Sequence, residues 1–428
     1  MKQINSQILE KHNGVIRVRS EIGKEIRTYI QYIYEHRNDF ADKYEAYIPM
    51  LLFFSQMLLE KKLSTDERII SSMAQTLVGQ IGKVPDRCLS SSDIGMYGGL
   101  GQLAFSIHTI KENTGELKET SELLNRFLLE QACKKVKVFC QRKLSFDFYD
   151  VLGGIAGVVY YLLDCEEILD QPKEKLKLRE LIRFLIYLSG DYFYFGQKVL
   201  RYHIRRNQQF LPEERKTMKQ GHINFGAAHG VVDPLVALAK AKGNGIREMY
   251  LEEAIWKLFE LYEELCVEEN GIVRYPRRLP VRCYVNRTST DLTENAGWCY
   301  GNLGVVRCLM KAANYLRNPM KYAYYLDKLV DILEQPVKEY NLSSPIVCHG
   351  YGGVISIQTY AFRESRDERC LINLEKNMEI TLQEHREKMK KEEYREDFSL
   401  LSGSAGTILA LCNSMNGNLT YGKLLFMD

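Results

Sequence analysis

No apolar run in this 428-residue sequence is long enough to cross a membrane. The longest, IPMLLFFSQMLL from Ile48 to Leu59, falls well short of the roughly eighteen residues a spanning helix needs. The opening residues, MKQINSQILEKHNG, lack the apolar centre of a secretory signal. Charge of one sign is also missing. A formal balance of +3, from 58 basic and 55 acidic residues, excludes the strongly basic footprint of a nucleic-acid binder or of a protein held on membranes by charge alone. Proline is scarce, at 10 residues, and alternating β-branched runs are few, which argues against an all-β protein. Cysteine is present, but its 11 copies are odd in number and lack the spacing of a disulfide framework. Reduced thiols and a cytoplasmic location are the expectation, with attachment to the membrane, if any, coming through partner proteins.

What remains is helical and repetitive. Glu21 to His36, the segment around Ile48 to Leu59, and DERIISSMAQTLVGQI all carry apolar residues at intervals of three and four. From about Gly95 onwards a Gly-x-x-Gly turn followed by an apolar stretch recurs, at Gly98/Gly101, Gly154/Gly157, Gly301/Gly304, Gly350/Gly353 and Gly403/Gly406. A further copy, AHGVVDPLVALA, keeps Gly230 but has Asp233 at the second glycine position. A longer, more charged helix follows each. Such a hairpin cannot bury its apolar face alone, so copies must stack or close on one another. A closed ring brings all the turns to one end, whereas a solenoid strings them along a ridge. The expected architecture is therefore all-α, an α/α toroid spanning 1–428 as one domain. Two stretches interrupt the period, at 192–221 and 270–295. Both are polar and basic, and both are read as inserted loops, with some strand in the second.

The turns carry the chemistry. GWCYG (Gly297 to Gly301) centres on Cys299, and CHGYGG (Cys348 to Gly353) opens with Cys348 and His349. Both cysteines sit at the same place in the repeat. Two cysteines and a histidine make a three-ligand set of the kind zinc favours, with the fourth tetrahedral position left for water or substrate. The remaining cysteines, including Cys88, are assigned to packing. His229, in the corresponding place of FGAAHG, is open to three roles: fourth ligand, acid–base group or buried structural histidine. Asp150, ahead of another glycine turn, either caps the helix or orients a histidine. Tyr300 is a proton donor or a packing residue.

GHINFGAAHG, GWCYG and CHGYGG, in that order, resemble the lanthionine synthetase C-like cyclases, the class I lanthipeptide cyclases. The resemblance runs from about Gly95 to the end. It implies a double-layered helical toroid with zinc at one end, held by Cys299, Cys348 and His349, with His229, Asp150 and Tyr300 lining the site. It also implies the reaction, in which a cysteine thiol of a dehydrated precursor peptide adds to dehydroalanine or dehydrobutyrine to form a thioether ring. Metal coordination favours the thiolate. Attack on the β-carbon leaves an enolate to be protonated at the α-carbon, with His229 the first choice of acid and Tyr300 or water the alternatives. Partners expected on this reading are the precursor, a separate dehydratase and an exporter.

The chain departs from the family pattern in three places. Asn295 stands where an arginine is common four positions before the WCYG cysteine, which leaves Arg282 or Arg287 as substitutes, and Asn295, Arg282 and Arg287 as candidate substrate-binding residues. Asp233 replaces a glycine beside Pro234. Tyr275 stands where a tryptophan is common. Three rival readings are a family member that binds glutathione or another thiol, a helical-ring scaffold without chemistry, and an α/α-barrel glycosidase with Asp150 and Asp233 as its carboxylate pair, which leaves the cysteine motifs unexplained.

Overall fold

The computed structural model describes residues 2–40, 44–60, 67–80 and 93–428; Cys88 lies outside them. The helices that build the fold are α1 (Lys2–Glu35), α2 (Tyr44–Met57), α3 (Glu67–Gly79), α4 (Leu100–Thr114), α5 (Lys118–Phe139), α6 (Ile155–Leu162), α7 (Pro172–Leu188), α8 (Val232–Gly243), α9 (Leu251–Leu265), α10 (Asn302–Tyr315), α11 (Pro319–Glu334), α12 (Tyr351–Ser365), α13 (Leu374–Met389) and α14 (Ser404–Asn416). They form two concentric layers. In the inner layer α2 packs on α4, α6 on α8, α8 on α10, α10 on α12, α12 on α14, and α14 returns to α2. The ring closes between α4 and α6 at their turns, where Met96 N–H donates to Leu152 O at 2.7 Å. Outside, α5 covers α4 and α6, α7 covers α6, α9 covers α8, α11 covers α10, α13 covers α12, and α1 lies across α13 and α14. The toroid, and not the solenoid, is the fold. Among the described residues no helix is long and apolar enough to cross a membrane.

The two layers follow from composition. Inner helices are largely apolar and buried all round, as α8 and α10 are through most of their length, with a few charged residues such as Lys240 and Arg307 buried among the rest. Outer helices keep one apolar stripe; α9 buries Leu251, Ala254, Ile255, Leu258, Phe259, Leu261, Tyr262 and Leu265 and exposes its acidic face.

One local device starts most inner helices. The first or second helical N–H reaches back seven residues, as in Leu100 to Asp93 O, Ala156 to Tyr149 O, Asn302 to Asn295 O, Tyr351 to Ser344 O and Ser404 to Asp397 O. The loop so closed leaves no room for side chains at its crossing points. A Cβ on Gly301 would lie 2.0 Å from Gly297 O, and one on Gly304 1.9 Å from Trp298 O. The first copy differs from expectation, because the residue before α4 is Gly99 while Gly98, at φ +76°, has no atom of the described residues within reach of a Cβ. The copy with Asp233 also differs, its helix starting one residue later, after Val231.

The two interruptions are more ordered than the sequence reading held. The first contains an antiparallel hairpin, β1 (Asp191–Tyr194) with β2 (Gln197–Leu200), turning through Phe195 and Gly196 at φ +49° and +76°. It ends in β3 (His222–Asn224). The second contains β5 (Ile272–Arg274), paired with β4 (Val267–Glu269) just before it, then β6 (Arg278–Pro280) and a short helix, Val281–Asn286. Strands β3 and β6 pair antiparallel, with His222 opposite Pro280 and Asn224 opposite Arg278. The two insertions are thus one structure, stitched together beside the turns of α8 and α10.

Candidate active site

The inner-helix turns are tied to one another through the backbone. Ala228 N–H donates to Cys299 O, Cys299 N–H to Cys348 O at 3.0 Å, and Cys348 N–H to Leu401 O at 2.9 Å. Gly226 makes the first tie possible, since a Cβ there would meet Cys299 O and the Tyr300 ring, both at 2.6 Å. Residues far apart in sequence are thereby brought to one end of the toroid.

Cys299 Sγ, Cys348 Sγ and a ring nitrogen of His349 all lie within 4.8 Å of one another. Tetrahedral zinc ligands at ordinary bond lengths are roughly 3.5–4 Å apart, so one ion fits this set with little adjustment. The cysteines are half-buried and the histidine is exposed. The two thiols share a hydrogen bond. That bond draws Cys299 below the ordinary thiol range, with His349 assisting against the opposing effect of burial, while the same bond and then burial push Cys348 up.

On the neighbouring turns His229 Nδ1 lies 2.6 Å from Asp150 Oδ2. Both expected roles of Asp150 coexist, since its Oδ1 accepts from Gly153 and Gly154 N–H at 2.8 Å each, holding the turn before α6. With Nδ1 engaged, Nε2 of His229 has no hydrogen-bond partner among the described residues. The Phe146 ring packs on the imidazole at 4.4 Å, and Tyr300 lies on its other flank, centroids 6.4 Å apart. Asn224 Nδ2 donates to the Tyr300 hydroxyl at 2.8 Å, and burial pushes that hydroxyl up to about 12, with Arg278 opposing. Tyr300 is therefore a neutral donor at physiological pH, and among the described residues nothing accepts its proton.

The three substrate-binding candidates have different surroundings. Asn295 is committed to its own turn, where Oδ1 accepts from Gly297 N–H at 2.9 Å. Asp93, Asn224 and Asp397 make the same bond to Gly95, Gly226 and Ser399. Arg282 is exposed on the short helix after β6. Arg287 ends that helix, pairs with Glu264 and lies over Tyr284. The arginine that the fold sets beside the site is Arg278 of β6, its guanidinium 4.6 Å from the Tyr300 ring centroid and paired with buried Glu214 at 2.6 Å. Sequence reasoning missed Arg278 and Asn224, which face one another across β3 and β6. The one available signal was the repeated Asn/Asp two residues before a glycine or serine.

Asp233 also has a place here. Fully buried, it accepts from Val151 N–H at 3.1 Å and so ties the start of α8 to the residue after Asp150. Its other oxygen has no hydrogen-bond partner among the described residues, and burial, with Asp150 nearby, pushes its carboxyl well above the ordinary range.

The fold is a helical toroid that gathers two cysteines and a histidine, spaced so that they could hold one metal ion, at the same end as a His–Asp pair. More specifically, the family model for lanthionine synthetase C-like proteins matches residues 44–426, and the chain belongs to that family. It is 26% identical over 349 residues to the nisin biosynthesis protein NisC of Lactococcus lactis subsp. lactis, covering 78% of each chain. The solved structure of nisin cyclase superposes with a TM-score of 0.78 at 21% identity, over 94% of this chain and 98% of that one. At that identity the likeness is one of fold.

Proposed function

We propose that the protein is a zinc-dependent lanthipeptide cyclase. It adds cysteine thiols to dehydroalanine or dehydrobutyrine within a dehydrated precursor peptide, and it works in the cytoplasm with a separate dehydratase and an exporter. The carrying observation is the cluster of Cys299, Cys348 and His349 beside a His229 held at Nδ1 by Asp150. Family membership and the similarity to NisC support the same reading.

Cys299, Cys348 and His349 are the residues that would hold the ion. When bound, zinc supplies a Lewis acid that lowers the pKa of an incoming substrate thiol. The protein's own groups then handle protons and charge. The substrate sulfur, having lost its proton, forms a C–S bond to the β-carbon. The alkene π pair moves to the α-carbon and its carbonyl as an enolate, and one proton delivered to the α-carbon completes the addition. Asp150 keeps the His229 proton nearest it on Nδ1, so the free Nε2 is the edge that gives and takes protons. Tyr300 is the second donor. Arg278, its charge shared with Glu214, is the guanidinium nearest Tyr300 and takes the place of the arginine that Asn295 replaces.

Zinc per chain, by elemental analysis, tests this on wild type and on Cys299→Ala and Cys348→Ala. About one ion is expected in the wild type and much less in both variants, together with loss of thioether formation on a dehydrated cysteine-containing peptide. A wild type that takes up no zinc on reconstitution overturns the reading and leaves a scaffold.

A further inference from the structure

Between the C-terminal ends of α5 and α7 and the β1–β2 hairpin is a pocket of about 350 Å³. Its floor is apolar, formed by Phe139, Phe184, Leu144 and Leu188. Its walls are cationic, carrying Arg142, Lys143, Arg201 and Arg205, and no carboxylate lines it. None of these four cations is in an ion pair among the described residues. Aromatic rings hold two of them instead. Arg205 lies over Tyr192 and Tyr194 at 5.7 and 5.5 Å, and Arg201 over Tyr187 at 4.5 Å while donating to its hydroxyl. Neighbouring cations are neutralised. Arg179 and Arg183 share Glu248, and Lys198 and Lys257 share Asp191.

The pocket and the active site are joined by one segment of packed residues. Phe139 of its floor stacks on Phe148 at 3.8 Å, and Phe148 lies two residues before Asp150. The same segment runs from Leu144 in the pocket to Phe146 on His229. Phe210, 72% exposed, continues the path by packing against Phe146.

We propose that this pocket docks an acidic segment of the peptide substrate, one lying outside the residues that form rings; the assignment of a peptide rests on the cyclase reading. Uncompensated guanidinium groups above an apolar floor select carboxylates flanking an apolar or aromatic side chain. A membrane surface is the poorer match. The cations line a recess, whereas the residues a bilayer would meet first, Phe193 and Phe195 at 77% exposure each, are not among the residues lining it. Held there, a peptide is tethered next to His229, and its reactive part meets the site at raised effective concentration.

The test uses the full-length protein, a short fluorescein-labelled peptide of Asp, Glu, Leu and Phe, its Asn/Gln counterpart, and phosphatidylglycerol vesicles. By fluorescence anisotropy the acidic peptide is expected to bind about tenfold or more tightly than the neutral one, more weakly as salt rises, and about tenfold more weakly to Arg142→Glu with Lys143→Glu. Both positions are exposed, and Arg201→Ala with Arg205→Ala gives a second, independent pair. Fusing the acidic segment to a dehydrated thiol peptide should lower KM about tenfold in wild type and not in the charge-reversed protein, with kcat unchanged. Equal binding of the two peptides, unchanged affinity in both double variants, or capture by the vesicles without peptide binding overturns the proposal. Anisotropy does not depend on turnover, so peptide binding without thioether formation would count against the cyclase reading alone.

Discussion

At the scale of single residues, the site is organised by carboxylates that act on neighbours. Asp150 both holds its turn and sets the His229 ring. Asp150→Asn keeps an oxygen for the turn but loses the acceptor that fixes the imidazole. It should fold normally and form thioethers about a hundredfold more slowly; activity near wild type would remove the His229–Asp150 pair from the chemistry. Asp233 is a different case. Burial, with Asp150 nearby, raises its folded pKa well above the ordinary 3.8, so stability falls as pH climbs above about 3.8 towards the folded value. Asp233→Asn keeps the acceptor for Val151 without the ionisable group. It should melt higher than wild type at pH 7, with the gap closing below pH 4, whereas Asp233→Ala should cost about 1–3 kcal/mol at any pH through the orphaned Val151 N–H. Parallel melting curves for wild type and the Asn variant across that range would show that burial does not tax this carboxyl. The metal-binding candidates and the His–Asp pair were legible in the sequence because each sits at a fixed offset from a repeated glycine. Arg278 was not, because its place beside Tyr300 depends on β6 pairing with a strand over fifty residues away in the chain.

At the scale of elements, the glycine turn is what makes an inner helix. Gly304→Ala drives a methyl into the Trp298 carbonyl, which is backbone and cannot swing aside. The turn that carries Cys299 must then shift. The expected loss is about 2–4 kcal/mol of stability, with weakened zinc uptake. Gly98→Ala meets no atom of the described residues within 4 Å and bears the strain of its φ of +76°, about 1 kcal/mol, with zinc uptake unchanged. Urea unfolding and metal titration of the two variants would settle the contrast, and equal effects would contradict the steric argument. The repeat was visible in the sequence because every turn has to solve this same crowding problem. The hairpin and the β3–β6 ladder were less visible, since Tyr192 to Gly221 is dominated by charged residues and its strands are short.

At the scale of the whole molecule, the ring surrounds a polar interior as well as an apolar core. Away from the turns, Arg307 is 1% exposed and forms a two-pronged pair with Glu364 at 2.9 and 3.1 Å, joined by Lys311 at 3.1 Å. Burial alone would raise the Glu364 carboxyl, but the charges of Arg307 and Lys311 outweigh it and hold the group at about 2. A depressed carboxyl stabilises the fold above its unfolded pKa of about 4.5 and loses that contribution as pH falls towards 2, on the order of 3 kcal/mol here. Glu364→Gln should therefore destabilise the protein by about 3–5 kcal/mol at pH 7, with the difference narrowing between pH 4.5 and 2. A difference independent of pH would mean that packing, rather than charge, holds α10 to α12.

Alone, the sequence determined the helical class, the period of the repeat and the turns that bear Cys299, Cys348, His349, His229 and Asp150, because these are consequences of local crowding and of apolar spacing along one stretch of chain. Tertiary structure decided how those turns meet, that Arg278 rather than Arg282 or Arg287 stands beside Tyr300, and that four cations share a pocket without a carboxylate. Those facts depend on which distant segments are neighbours, and only closure of the ring and pairing of β3 with β6 make them so.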